Sequence, residues 1–185
     1  MSPFLAEIIP RTHPSTLPDS KQELPAAEWT ELEALLRDGS GTTWLSVPSP
    51  DGVHVRPIFA AWTNSSFVVA SNARTTKSRR LDQNSRCALA IDLGRIHLVV
   101  EGSVARMTGE ADLLRASRAM REVYGWPTTV IGDELDAPYA APTSGGPPFR
   151  AYEITPERAF AFPTDDTFEP TRFTFGSSPA TTISR

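Results

Sequence analysis

Residues 71–86 read SNARTTKSRRLDQNSR and form the most informative stretch of the chain. The stretch has five basic residues and one acidic residue, a net charge of +4, whereas the whole 185-residue chain carries −4. It follows the apolar run of residues 66–70, which predicts a strand, and the pattern beyond Thr75 predicts a short helix. Free N–H groups at a helix start, together with hydroxyls and fixed cations, suit a bound phosphate. The alternative interpretation is a solvated basic helix on the surface.

Length and composition narrow the class of protein. A chain of 185 residues suits one domain with enough core to need no covalent staples. The single cysteine, Cys87, excludes an intramolecular disulfide framework and lies in an apolar run that predicts burial. A pI near 5.4 argues against nucleic acid as the main partner. No secretory leader and no membrane-spanning run is recognisable, so we expect a cytoplasmic protein with no membrane partner.

The ends of the chain differ in composition from its middle. Residues 1–23 are rich in proline and predict an N-terminal arm that is either disordered or laid along the body or a partner subunit, with disorder the expected state in solution. Residues 24–175 predict one folded domain, and residues 176–185 predict a disordered tail.

Within the domain, short strands joined by tight turns dominate. This meander predicts a mainly β fold, a barrel or sandwich with flanking helices. Pro57 lacks a backbone donor and predicts an edge strand or a bulge at its position. The Pro/Gly/Ala-rich residues 126–148 predict a long loop that is functional or mobile. We predict helices at 26–37 and from Gly109 to Gly125, and strands at 42–47, 53–62, 66–70, 87–92, 95–107, 149–154 with 159–162, and 171–175.

Familiar catalytic motifs are missing from the sequence. Three histidines, His13, His54 and His97, and one cysteine lack the spacing of a zinc site. No nucleophile elbow, zinc-protease motif or P-loop occurs. His54 alternates with Arg56 on one face of a strand, and we interpret it as a structural histidine. An enzyme with no nucleophile or base of its own would rely on a cofactor for its chemistry.

Three sequence segments resemble the pyridoxamine 5′-phosphate oxidase-like, FMN-binding split-barrel superfamily over roughly residues 29–175. HVRPI, residues 54–58, is similar to the family's R-x-[VI] strand along the flavin ring. SNARTTK, residues 71–77, resembles its T-N-x-x-S-x-K phosphate segment, and the continuation KSRRL…NSR is also similar to the branch that uses the deazaflavin F420. YGWP, residues 124–127, and PTRF, residues 170–173, are together similar to actinobacterial members ending in T-R-[WF].

The resemblance implies a split β-barrel and a set of cofactor contacts. The phosphate contacts would come from Thr75, Thr76, Lys77 and Arg79, and Ser71 and Asn72 would contact ribityl hydroxyls or the phosphate. Backbone groups of Arg56, Pro57 and Ile58 would face the flavin ring. The superfamily also implies a homodimer with the site between subunits, so that Arg172 or Phe173, and the loop at Trp126, approach the ring from the partner. Tyr124 is a candidate proton donor.

Departures from the family pattern restrict the function that is implied. Ala61 stands where true pyridoxamine phosphate oxidases carry a basic residue, and their C-terminal R-x-H pair is absent because Phe173 and Thr174 follow Arg172. The resemblance therefore implies an FMN-dependent oxidoreductase that transfers hydride to or from a small organic substrate other than the B6 vitamer. The alternatives are an F420-dependent reductase, a non-catalytic protein that binds flavin, F420 or haem, and a structural dimer with a vestigial site.

Overall fold

The computed structural model describes residues 2–10, 24–39, 41–140 and 144–176. It confirms the mainly β prediction, with three helices beside an antiparallel sheet. The helices are α1 (Trp29–Asp38), α2 (Thr76–Gln83) and α3 (Glu110–Tyr124). The strands of the described residues are β1 (Leu5–Ile8), β2 (Thr42–Ser49), β3 (Gly52–Pro57), β4 (Ala60–Trp62), β5 (Phe67–Asn72), β6 (Arg86–Asp92), β7 (Ile96–Arg106), β8 (Thr129–Ile131), β9 (Glu134–Asp136), β10 (Phe149–Pro163) and β11 (Thr171–Thr174).

The long strand β10 organises the sheet. One side of β10 pairs with β7, while its other side pairs first with β5 and then with β11. The strand order is β1-β11-β10-β7-β6-β2-β3. Two further pairs of strands attach to β10: β5, which also pairs with β4, and β9, which also pairs with β8. A bulge between Pro156 and Arg158 lets the strand change partners. Gly102 lies opposite this bulge, where a Cβ atom would come 2.1 Å from the Thr155 carbonyl oxygen, so only glycine fits.

Two apolar clusters flank strand β5. Phe67 and Val69 point into the barrel interior, and Val68 packs in the second cluster with Leu113 and Met120 of α3. All three β5 residues are fully buried. This two-sided burial explains why the strand reads as a continuous apolar run instead of an alternating one.

Several predicted elements have different bounds in the structure. The helix predicted at 26–37 begins only at Trp29, because Ala26 bridges to Glu169 and the Ala27 N–H donates to Thr171 Oγ1 at 2.9 Å. The strand predicted at 53–62 is two strands, β3 and β4, with a bend between them. The pairing of β3 with β2 is continuous as far as Pro57, and β3 is the last strand at its side of the described sheet. Pro57 therefore lies on an edge strand, not at a bulge.

The predicted loop 126–148 is more ordered than its composition indicates. It contains the hairpin β8–β9, which turns at Gly132 with φ 55° and pairs with β10 through Leu135. Residues 141–143 lie outside the described residues. The two strand segments predicted at 149–154 and 159–162 are one strand, β10, because the bulge at Pro156 preserves pairing with β7.

The N-terminal segment differs from the expected disorder over the four residues of β1. Leu5–Ile8 pairs with β11, and Glu7 accepts a hydrogen bond from the Arg172 guanidinium. These residues cover the backbone edge that β11 would otherwise present to solvent. They agree with the alternative of an arm laid along the body. Residues 11–23 lie outside the described residues, as does the predicted tail apart from Gly176.

Candidate functional site

A cleft of about 710 Å³ opens beside the edge strand β3. This volume falls within the range of about 300–1,000 Å³ typical of small-molecule sites. Its walls come from β3 and the bend after it, the start of α2, the end of α3 and the segment after β9. The lining residues are Gly39, Gly41, Thr42, Thr43, His54, Arg56, Pro57, Ile58, Phe59, Ala70, Thr75, Thr76, Lys77, Tyr124, Trp126, Tyr139, Ala140, Ser144 and Phe149.

The turn between β5 and α2 is fixed by its own side chains. Asn72 Oδ1 accepts from the Arg74 N–H at 2.8 Å, and the Thr75 side chain caps the helix by accepting from the Ser78 N–H at 3.2 Å. Ser78 is buried, and its hydroxyl donates to the Asn72 carbonyl at 2.8 Å. This network directs Thr76 and Lys77 to the cleft. The first turn of α2 has no acidic residue, so its positive dipole end is not compensated within the helix.

Four basic groups, His54, Arg56, Lys77 and Arg80, form a basic cluster at this end of the cleft. Three of them line it, and Arg80 acts on His54 from α2. Among the described residues, no ion pair includes any member of the basic cluster. Burial, followed by the charge of Arg56, lowers the pKa of the Lys77 ammonium. The cluster is therefore an electropositive site that no carboxylate within the described chain neutralises.

The structure brings six of the ten predicted site residues to the cleft: Arg56, Pro57, Ile58, Thr75, Thr76 and Lys77. The Ile58 N–H already donates to the Thr43 carbonyl at 3.0 Å, and Pro57 has no N–H. Of the backbone groups predicted to face the ring, these two residues therefore offer no free N–H. Ligand contacts from Pro57 and Ile58 would come from carbonyl oxygens or side chains.

The other four predicted residues do not line the cleft. The Ser71 hydroxyl contacts Thr75 Oγ1 at 3.0 Å, and Asn72 donates to the Gly146 carbonyl, so both serve the turn itself. Arg79 donates to the Arg74 carbonyl and to Thr76 Oγ1, both at 3.1 Å. Arg172 lies on β11 and bonds to Glu7. Within one chain these side chains support neighbouring backbone or pair with an acid, and a contribution of Arg172 to a partner's site stays a prediction.

Sequence reasoning brought Tyr124 and the Trp126 loop to the site but did not group them with Phe59 and Phe149 as an aromatic wall of the cleft. The Phe59 ring stacks on Tyr124 with centroids 4.4 Å apart and an interplanar angle of 18°. Trp126 packs edge-on against Phe149 at 5.1 Å, and its indole N–H donates to the Tyr139 carbonyl at 2.8 Å. These aromatic residues are scattered along the sequence, so only the fold brings them together. The sequence analysis interprets His54 as a structural histidine, but it lines the cleft with Arg56. The alternation of these two residues on one face of the strand was the signal for this.

Tyr124 has a structural role that uses its hydroxyl fully. The hydroxyl accepts from the Ala60 N–H and donates to the Ala60 carbonyl, each at 3.0 Å. Burial raises the pKa of Tyr124, and the bond from Ala60 opposes this only in part. The side chain therefore stays protonated near neutral pH and pins the bend between β3 and β4. This arrangement leaves the hydroxyl no spare proton to donate to a ligand.

The donor set of the cleft fits a phosphate-bearing ring compound. The guanidinium, ammonium and hydroxyl groups of its lining match a phosphate, and its apolar and aromatic residues match a flat ring. Among the described residues, no group of three or more histidine, cysteine, aspartate or glutamate side chains is placed to hold a metal ion. In the same part of the chain, no helix combines the length and apolar character needed to cross a membrane.

Comparison with known proteins agrees with the fold. No protein-family model matches the sequence, and no curated protein matches it. Solved structures do match. A NimC/NimA family protein from Clostridium acetobutylicum has a TM-score of 0.56 and 16% identity, covering 80% of this chain and 91% of its own. A protein related to general stress protein 26 of B. subtilis (pyridoxinephosphate oxidase family), also from C. acetobutylicum, has a TM-score of 0.54 and 15% identity, covering 78% and 92%.

A third similar structure contains a bound ring compound. PhzG from Burkholderia lata, solved with tetrahydrophenazine-1-carboxylic acid, has a TM-score of 0.50 and 13% identity, covering 80% of this chain and 83% of its own. At such identities the likeness concerns the fold. Together with the strand arrangement it confirms the predicted split-barrel fold class, that of the pyridoxamine phosphate oxidase-like proteins.

Proposed function

We propose that this protein binds FMN in the cleft and acts as an oxidoreductase that transfers hydride to or from a small organic substrate. The observation that carries the proposal is the basic cluster, which forms no ion pair with any described residue, in an otherwise largely apolar cleft. The three cations Arg56, Lys77 and Arg80 repel one another unless an anion lies between them. The arrangement therefore favours a ligand with a compact negative charge. A phosphate monoester supplies nearly two negative charges at neutral pH.

Specific groups would hold the phosphate. Arg56 offers a planar fork of donors, Lys77 a compact charge, and Thr76 a hydroxyl next to the uncompensated start of α2. The Thr75 side chain caps α2 and so keeps this turn in place beside the cleft that it also lines. Preorganised donors of this kind bind an anion without first having to be ordered.

The remainder of the cleft suits the ring system. Ile58, Phe59 and Trp126 provide apolar surface, and the bend pinned by Tyr124 sets the position of Phe59. A bound flavin supplies the hydride chemistry, while the protein supplies binding, orientation and exclusion of water. With no general acid or base identified among the lining residues, we assign the chain's residues to binding and orientation alone.

We also propose that the protein is a homodimer, because apolar residues are exposed on the outer face of the edge strand β3 and its neighbour β2. Trp44, Val53 and Val55 share this face and are 39%, 67% and 42% exposed. Pro57, opposite Trp44 in the strand pairing, also lines the cleft. A second copy that covers this face would therefore lie beside the ligand site, as the split-barrel resemblance implies.

The direct test is a fluorescence and absorbance titration of the purified protein with FMN and, separately, with F420. We expect a dissociation constant for FMN that rises about 10- to 150-fold in Lys77→Ala, because one charge-assisted contact contributes about 1.5–3 kcal/mol. Arg118→Ala is the matched control, since Arg118 is exposed on α3 and does not line the cleft.

Each outcome of the titration has a distinct meaning. Binding of F420 in preference to FMN would replace the cofactor and retain the phosphate site. Binding of FMN without substrate-dependent reoxidation across a panel of quinones and nitroaromatics would favour a flavin carrier. Equal affinities of Lys77→Ala and wild type would contradict the phosphate assignment, and binding of neither cofactor would contradict the proposed function.

A further inference from the structure

His54 occupies an unusual position for a polar residue. In the pairing of β3 with β2, His54 lies opposite Val47 and Arg56 lies opposite Leu45, and both β2 residues are buried in the core. Residues directly opposite each other in an antiparallel pair point to the same face of the sheet. The side chains of His54 and Arg56 therefore lie on the same face of the sheet as the buried side chains of β2. Both line the cleft.

Among the described residues, the charged groups that act on His54 are all cationic, and the other titratable groups that line the cleft are the phenols of Tyr124 and Tyr139. Arg56 comes from its own strand, and Lys77 and Arg80 come from α2. Strand β2, its pairing partner, contains no titratable residue. The one acid of α2, Asp82, is engaged by Arg150 and by the Tyr152 hydroxyl. Burial, and then the charges of Arg56, Arg80 and Lys77, lower the pKa of His54, so the imidazole is neutral at pH 7 without a ligand.

A bound phosphate reverses the electrostatic environment of this imidazole. An opposite charge within about 4–6 Å favours the charged form of a group and shifts its pKa by about 1–3 units. The phosphate would also neutralise the repulsion from the neighbouring cations. Protonation then gives the ring a second N–H donor that can be directed at the phosphate.

We propose that His54 is a phosphate ligand that takes up a proton when a phosphate-bearing molecule binds in the cleft. The inference rests on the proposed phosphate site but not on the identity of the ring or on turnover. It makes binding proton-linked. The affinity gained through His54 is absent at high pH and grows as the pH falls through the titration of the bound imidazole. It levels off below the titration of the free imidazole.

The test follows the histidine side chains directly. In ¹⁵N-histidine-labelled protein the chain offers three imidazoles, and His54→Gln identifies the signals of His54. The ring would be titrated by NMR alone, with saturating FMN, and with inorganic phosphate. We expect either ligand to raise the midpoint of His54 by about 1 pH unit or more. His97, which is exposed on β7 and does not line the cleft, should keep its midpoint.

Affinity gives an independent readout. For a midpoint raised by about 1 pH unit, we expect the wild type to bind FMN up to about 10-fold more tightly than His54→Gln at a pH below the titration of the free imidazole. The ratio should be smaller at pH 7 and approach one at pH 9, with His97→Gln matching the wild type throughout. The phosphate's own second pKa near 6 affects all three proteins alike, so it cancels from the comparison.

The outcomes separate this inference from the proposed function. FMN binding with an unchanged His54 midpoint, or a His54→Gln ratio that does not vary with pH, would overturn the role of His54 and leave FMN binding intact. A raised midpoint with inorganic phosphate but no binding of FMN would support His54 and overturn the flavin assignment. No response of His54 to either ligand, with no binding, would overturn both.

Discussion

The Tyr124 side chain shows how a residue in a cleft wall can be structural. Its hydroxyl satisfies both the N–H and the carbonyl of Ala60, a buried residue next to the bend after β3. Removing the hydroxyl leaves two backbone groups without partners, which costs about 1–3 kcal/mol. We therefore expect Tyr124→Phe to lower the free energy of unfolding by that amount in urea denaturation. Tyr139→Phe is the control, since its exposed hydroxyl makes one long bond to Gly125, 3.4 Å, and a change above 0.5 kcal/mol there would be unexpected.

Glu153 gives a prediction about pH. Burial alone would raise the pKa of this carboxyl, but hydrogen bonds from Arg115 and Ser66 outweigh burial and hold it below its usual value. A carboxyl with a lowered folded-state pKa stabilises the fold above its unfolded pKa, about 4.3, and loses this effect as the pH falls through the folded value. We expect Glu153→Gln to cost about 1 kcal/mol at pH 7, since the pair is partly exposed, and the cost to shrink below pH 4.

Urea unfolding of Glu153→Gln at pH 7 and at pH 3 would measure this difference. Glu122→Gln, an exposed carboxyl on α3 that forms no ion pair among the described residues, is the control. A Glu153→Gln cost that is the same at both pH values would rule out the charged pair as its cause.

At the residue scale, the sequence predicted which residues of a short linear motif reach the cleft, and it missed packing that depends on tertiary folding. Thr75, Thr76 and Lys77 follow one another at a helix start, so the helix itself orients them. Arg79 lies two positions further along, where the helix turns its side chain back to the Arg74 carbonyl. Phe59 meets Tyr124 only because the sheet and α3 pack together, and no local pattern encodes that contact.

At the scale of elements, the start of α2 is the most testable feature. The Thr75 hydroxyl caps the helix and also donates to the Asn72 carbonyl at 2.8 Å. Loss of an N-cap hydroxyl costs about 0.5–2 kcal/mol. We expect Thr75→Ala to lose this stability and to weaken FMN binding several-fold by loosening the turn, whereas Thr75→Ser should restore both. Thermal unfolding and FMN titration would check this, and an alanine variant equal to wild type in both would contradict the role of the cap.

Strands and helices were predicted correctly where the hydrophobic periodicity was strong. They were predicted wrongly where pairing with distant strands sets the bounds of an element. The segment around Pro156 contains a proline that indicates a break, yet the bulge keeps β10 continuous. The hairpin in segment 126–148 was not predicted, because each of its strands has only three residues. The Pro- and Gly-rich composition of the segment predicts a loop, and the turn at Gly132 does not stand out from it. Short strands gain their stability from the neighbours they pair with, and a local sequence window does not contain those neighbours.

At the scale of the whole molecule, the exposed apolar face predicts association. Stable dimers bury about 1,200–2,000 Å² in total, and an exposed face that carries Trp44 of β2 with Val53 and Val55 of the edge strand β3 is a natural centre for such an interface. We expect the wild type to be a dimer by light scattering at micromolar concentration, with or without FMN. Val55→Glu should weaken the dimer by at least 10-fold, because it places an unpaired charge in the interface.

The matched control for the dimer is Ile131→Glu, which changes an exposed β-branched residue on the β8–β9 hairpin, away from that face. It should remain dimeric, since it adds the same charge without touching the interface. Because the cleft adjoins the face through Pro57, monomeric Val55→Glu should also bind FMN more weakly if the partner completes the site. A monomeric Val55→Glu with wild-type FMN affinity would place the whole binding site within one chain, and a monomeric wild type would contradict the dimer itself.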